Sequence, residues 1–112
     1  MSDLPTPESL ALTSRAEVAT ERPARYAKQL VSHMGHKVPV EEIENGHRIT
    51  FNRDGNFNGY GDVLVFASER GEQLVLLAHA DDDERLGRVE GVLGRHLEKF
   101  GERDGLTVVF ER

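Results

Sequence analysis

The sequence predicts an α+β fold: a single-layer antiparallel β-sheet with two α-helices packed on one face, in the order β-α-β-β-β-β-α-β. Three observations carry this expectation. Apolar residues alternate with polar ones in "LTSRAEVA" (12–19), the period of a half-buried strand. They recur at helical spacing in "PARYAKQLVSHM" (23–34) and "DDDERLGRVEGVLGRHLEKF" (81–100). Two turn sequences, "ENGH" and "ERGE", separate extended runs and make their flanking strands hairpin partners.

Taken in order, residues 1–10, with Pro5 and Pro7, read as a flexible leader, and residues 11–112 as one domain. In the first strand Leu12, Ser14, Ala16 and Val18 share one face, and Thr13, Arg15 and Glu17 the other. Thr20 is placed to cap the first helix, and Pro23 suits its first turn because that N–H has no intrahelical partner. Ala27, Leu30, Val31 and Met34 form its apolar stripe, and Gly35 is expected to end it by taking positive φ. "KVPVEEI" resumes as a strand. Asn45-Gly46 then predicts a two-residue type I′ hairpin that sets Glu44 opposite His47, Glu42 opposite Ile49 and Val40 opposite Phe51. After the loop "NRDGNFNGYGD" (52–62), "VLVFAS" and "LVLLAHA" are apolar on both faces, which predicts central strands. Asp81, three residues before Glu84, caps the second helix, whose core stripe is Leu86, Val89, Leu93, Leu97 and Phe100. "RDG" turns the chain into "LTVVFE", a last strand.

Composition excludes several classes of function. No apolar run is long enough to span a bilayer, and "MSDLPTPESL" lacks both parts of a signal peptide, so a cytoplasmic location without membrane contact is expected. Zero cysteines leave no disulfide framework, thiolate nucleophile or zinc ribbon. Twenty acids against fourteen bases give a net charge of -6, whose average field repels a phosphate backbone, and no nucleic-acid role is expected. Two tyrosines, five phenylalanines and no tryptophan argue against an aromatic-lined cofactor pocket, so no cofactor is expected. The motifs GxSxG, HExxH and GxxxxGK are absent, and the acidic runs "VEEIE" and "DDDE" suit a hairpin edge and a helix cap.

Three features invite a site. His33 and His36 could ligate a transition metal together with His96, His79 or a carboxylate; alternatively, with Lys37, they meet the free carbonyls of a helix C-terminus. "DGNFNGYGD" matches the first half of a calcium loop, with Asp54, Asn56, Asn58, Gly59 and Asp62 in register, but Val65 stands where the bidentate carboxylate belongs. Gly87, Gly91 and Gly94 line one side of the second helix, which suggests that another backbone, from helix 1 or a second subunit, approaches there.

Two blocks, "VATERPARYAKQLVSHMGHKVPV" (18–40) and "LGRHLEKFGERDGLTVVF" (93–110), resemble the ends of the bacterial domain of unknown function 2218 family. The matching positions are Thr20, Arg25, Tyr26, Gln29, Leu30, His33, His36, Lys37, His96, Leu97 and Phe100. Val31 and Met34 depart from the family's cysteine and aromatic. The resemblance implies a small bacterial domain without an established activity, whose members stand among siderophore and iron-uptake genes. It also groups Arg25, Tyr26, His33, His36 and Lys37 as one unit that holds either the fold or a ligand, and the candidate ligand-binding surface joins that unit to His96. The leading expectation is therefore a non-catalytic binding or accessory module for a small anionic ligand or a protein partner, as monomer or homodimer. A metal protein or enzyme built on His33, His36 and His96, and a homodimeric structural subunit, are the alternatives.

Overall fold

The computed structural model describes residues 4–69 and 71–112, and of Asp54 the backbone alone. Its elements are β1 (Leu12–Val18), α1 (Pro23–Gly35), β2 (Val40–Ile43), β3 (Gly46–Phe51), β4 (Gly59–Ser68), β5 (Gly71–Ala80) and α2 (Asp83–Phe100). The strands form one five-stranded antiparallel sheet in the order β1-β5-β4-β3-β2. From β2 to β5 the chain is a meander, and β1 closes the far edge beside β5. Helix α1 therefore carries the chain across the whole sheet, from one edge strand to the other. Among the described residues no helix is long and apolar enough to cross a membrane.

Both helices lie on one face, as expected. The core between them and the sheet joins Ala27, Leu30 and Met34 of α1 and Leu86, Val89, Leu93 and Leu97 of α2 to Ala16, Val18, Ile49, Val63, Leu74 and Leu76. The two central strands, β5 and β4, are the two that are apolar on both faces.

The chain ends differently from the expected order. Residues 106–110 form no strand, and the last β is reduced to one antiparallel bridge between Glu111 and Arg15. Its two backbone bonds, Arg15 N–H to the Glu111 carbonyl and the reverse, measure 2.9 and 2.8 Å. Leu106 leaves the sheet to pack into the helix core instead, and Val108 N–H donates to Glu98 Oε2 at 2.9 Å.

Local signals shift by a residue or two. The tight turn lies at Glu44-Asn45, and the register pairs Ile43 with Gly46, Glu42 with His47 and Val40 with Ile49. Asn45 takes the positive φ of 67°, whereas Gly46 is needed for a different reason: a Cβ there would stand 1.9 Å from the Val63 carbonyl oxygen. Helix α1 has Arg22 at its N-cap position without a side-chain cap; Thr20 Oγ1 instead accepts from Arg22 N–H at 3.0 Å. Gly35 stays helical, and α1 runs out through His36 in the right-handed region, with Lys37 N–H donating to the Met34 carbonyl. In α2 the cap is Asp82, whose Oδ1 accepts from Arg85 N–H at 2.8 Å.

Candidate functional site

The spacing of α1 gives its outer face one chemistry. Arg25, Lys28, Gln29, Ser32 and His36 recur at three or four residues and so share a side of the helix. Phe100, at the end of α2, closes the other wall of an open groove of about 500 Å³, and His33 sits at the joint. His33 packs against α2 with ring centroids 4.9 Å from His96 and 5.5 Å from Phe100, the latter edge-on. His33 Nε2 is buried and has no hydrogen-bond partner among the described residues. His96 Nδ1–H donates to the Val92 carbonyl at 2.7 Å, so Nε2 is the nitrogen left free on that ring. Burial pushes the His33 pKa down, and the positive fields of Lys37, His96, His36 and Lys99 push it further the same way.

Of the six residues expected to form one surface, Arg25, His33 and His36 therefore line the groove, and His96 lies behind His33. Lys37 follows the helix end and acts on His33 through its charge. Tyr26 stands apart: it is buried, and its hydroxyl donates to the carboxylate of Asp104. That hydrogen bond, with burial, raises the Tyr26 pKa. Tyr26 is thus a tie between α1 and the turn after α2. Among the described residues no group of three or more histidines, cysteines or carboxylates is arranged to hold a metal ion.

The calcium-loop match dissolves in the strand. Β4 begins at Gly59, earlier than the loop composition suggested, because Gly59 and Gly61 are close-approach residues within it. A Cβ at Gly61 would stand 2.8 Å from Phe51 and 2.9 Å from Leu93. Asp62 is consequently a strand residue facing away from the helices, and Asn58 Oδ1 accepts from Arg88 at 3.1 Å. The Asp54 side chain lies outside the described residues.

Asp62 organises a second polar cluster that sequence reasoning missed. Arg48 on β3 donates to both its oxygens, from Nε at 2.8 Å and Nη2 at 3.1 Å, and His79 Nε2–H on β5 donates to Oδ2 at 3.0 Å. That tautomer leaves His79 Nδ1 to accept from the Thr13 hydroxyl of β1 at 3.0 Å. The Asp62 side chain is only 4% exposed. Burial pushes its pKa up, but the hydrogen bonds from His79 and Arg48 outweigh it and hold the carboxyl below its ordinary range. The signal was available: strand alternation through "GYGDVLVF" and "LLAHA" puts Asp62 and His79 on one face, and a buried strand carboxylate requires a cation opposite.

On the same side, the Tyr60 hydroxyl donates to the Pro5 carbonyl at 2.5 Å, and Leu10 is buried, so residues 4–10 contribute to the fold. The glycine side of α2 also has its neighbour. The chain's own tail lies there, with Val108 3.7 Å from a Cβ built at Gly94 and Arg112 3.9 Å from one at Gly87. At Gly87 and Gly94 the neighbour is this tail rather than helix 1.

No curated protein matches the chain. Among solved structures it is similar to the NMR structure of PA4090 from Pseudomonas aeruginosa, at 23% identity and a TM-score of 0.68. That likeness covers 90% of this chain and 96% of the other, and it supports the fold. The family model described as an uncharacterized protein conserved in bacteria, DUF2218, matches residues 15–111, which takes in the second half of β1, the α1 groove, Asp62 with Arg48 and His79, and the tail bridge. The chain belongs to the DUF2218 family.

Proposed function

We propose that the protein is a non-catalytic binding module whose ligand is a small anion, seated in the groove between α1 and the end of α2. One observation carries the reading: in a chain of net charge -6, the groove is lined by Arg25, Lys28, Gln29, Ser32, His33, His36 and Phe100, with no carboxylate among them. The local field is therefore opposite in sign to the molecule's average and draws anions to one place. Gln29 and Ser32 add neutral donors, and Phe100 adds an apolar wall, the mixture that orients a small ligand. The family resemblance implies an association with siderophore and iron-uptake genes, which makes ferric siderophores with anionic chelating oxygens the first class to try.

The test is a titration of ¹⁵N-labelled protein with a panel of ferric siderophores and with citrate, read by NMR. Amide shifts should cluster at 25–36 and near Phe100, with resonances close to ferric ligands broadening. Replacing Arg25 and Lys28 together by alanine should weaken binding by about five- to tenfold, the effect of removing two partly solvated charges. A flat response across the panel overturns the reading.

A further inference from the structure

We infer that an oxyanion in this groove is bound together with one proton, taken up from solvent by the His33–His96 imidazole pair. The inference rests on the proposed anion site and assigns it a ligand chemistry and a control. Carboxylate, phosphate and sulfate groups all qualify.

The surroundings of His33 disfavour a charged ring while the groove is free. His96 is fixed by its Nδ1–H bond to Val92, so a second proton on that ring must go to Nε2. His33 Nε2 is buried with nothing among the described residues to accept from it, so placing a proton there creates both a buried charge and an unsatisfied donor. The groups facing the two rings add to that cost. His36 and Lys37 follow from α1, Lys99 lies on α2, and Arg25 and Lys28 stand along the groove. The carboxylate of α2 nearest in sequence to the pair, Glu98, is turned to the tail, where it accepts from Val108 N–H. Asp104 is held by the Tyr26 hydroxyl. Neither is committed to an imidazole.

An anion reverses the sign of this field. Its negative charge beside His33 favours the imidazolium, and an imidazolium strengthens the anion's hold in return; the two bindings are linked and reciprocal. The two rings, tilted by 42° with centroids 4.9 Å apart, cannot both become cations without repelling. One proton per ligand is the expected stoichiometry.

Inorganic sulfate is the probe, because it carries the same charge throughout the neutral range and any pH dependence belongs to the protein. The His33 and His96 ring resonances are followed by NMR against pH, with sulfate or with chloride at matched ionic strength. Without sulfate, His33 should titrate below an ordinary histidine; with saturating sulfate its midpoint should rise by about one unit, the shift that a nearby opposite charge produces. Sulfate Kd should then tighten by up to about tenfold per unit fall in pH between the two midpoints. In His33→Gln that slope should fall, whatever affinity remains. If sulfate shifts the amides of Arg25, Lys28 and Ser32 while the histidine midpoints stay fixed, proton coupling is wrong and the anion site stands. If neither sulfate nor citrate perturbs the groove, both ideas fail.

Discussion

Asp62 shows how much a single residue's meaning depends on its neighbours. In isolation, an aspartate in "NGYGDV" is a loop residue. In the folded chain it is a strand carboxylate with polar groups from three other strands converging on it: Arg48, His79 and, through His79, Thr13. Removing it would leave the Arg48 guanidinium and His79 without their acceptor on a mostly dry sheet face. Asp62→Ala should therefore cost about 2–4 kcal/mol in urea unfolding, towards the lower part of the range for breaking a buried pair because Arg48 keeps some solvent access. The pH dependence has a definite sign. The folded-state pKa of Asp62 is depressed, so its contribution is present above the unfolded carboxylate value and is lost as pH falls through the lower folded value. Wild-type stability should fall below about pH 4, while Asp62→Asn, already lacking the charge, should lose less over that interval. An identical acid limb in the two proteins would show that the cluster is energetically idle. The groove residues were more legible. Arg25, His33 and His36 lie on one helix whose spacing is readable, whereas the partners that give them meaning, His96 and Phe100, arrive from a distant helix.

At the scale of elements, periodicity decided what could be read and close backbone approach decided what could not. Both helices and the central strands follow from apolar spacing, which is a property of each segment alone. The β2–β3 register depends on Gly46 passing against the Val63 carbonyl of another strand, and the start of β4 depends on Phe51 and Leu93 closing over Gly61. Glycines therefore divide by what surrounds them, and substitution separates the kinds. A Cβ at Gly91 meets only the flexible end of Arg95, which can swing aside. Gly91→Ala should stabilise the protein by about 0.5–1 kcal/mol through helix propensity. A Cβ at Gly61 meets two packed core side chains, and Gly61→Ala should destabilise by about 1–3 kcal/mol as those side chains are forced off their rotamers. Thermal and urea unfolding of the two variants should move in opposite directions. Destabilisation by the Gly91 change would instead restore the idea that a further chain packs on that side of α2.

Across the whole molecule, the least legible feature is how the sheet's edges are managed. Alternation in "LTVVFE" reads as a strand because apolar spacing records which side chains are buried, not which backbone groups are paired. In the fold, Leu106 turns into the helix core and the tail then crosses the glycine side of α2, reaching β1 at Glu111 alone. Arg112 fastens the end by donating to Asp83 at 2.9 Å and to Glu90 at 3.1 Å. The tail thus covers α2 and blocks part of the β1 edge at once, leaving Val109 as an exposed apolar side chain at 70%. An uncovered edge strand is a template for pairing with another chain. Deleting residues 107–112 keeps Leu106 in place and removes both functions. The shortened protein should melt several degrees lower, as a loss of about 1–2 kcal/mol does in a domain of this size. It should also self-associate in a concentration-dependent way by size exclusion. Changing Arg112 to Ala should give the smaller part of the melting effect without the association, because Arg112 itself is solvated while the Glu111 bridge is intact. A truncated chain that stays as stable and as dispersed as the full one would mean that the tail is a passenger, and that β1 protects its own edge through the exposed charges of Arg15 and Glu17.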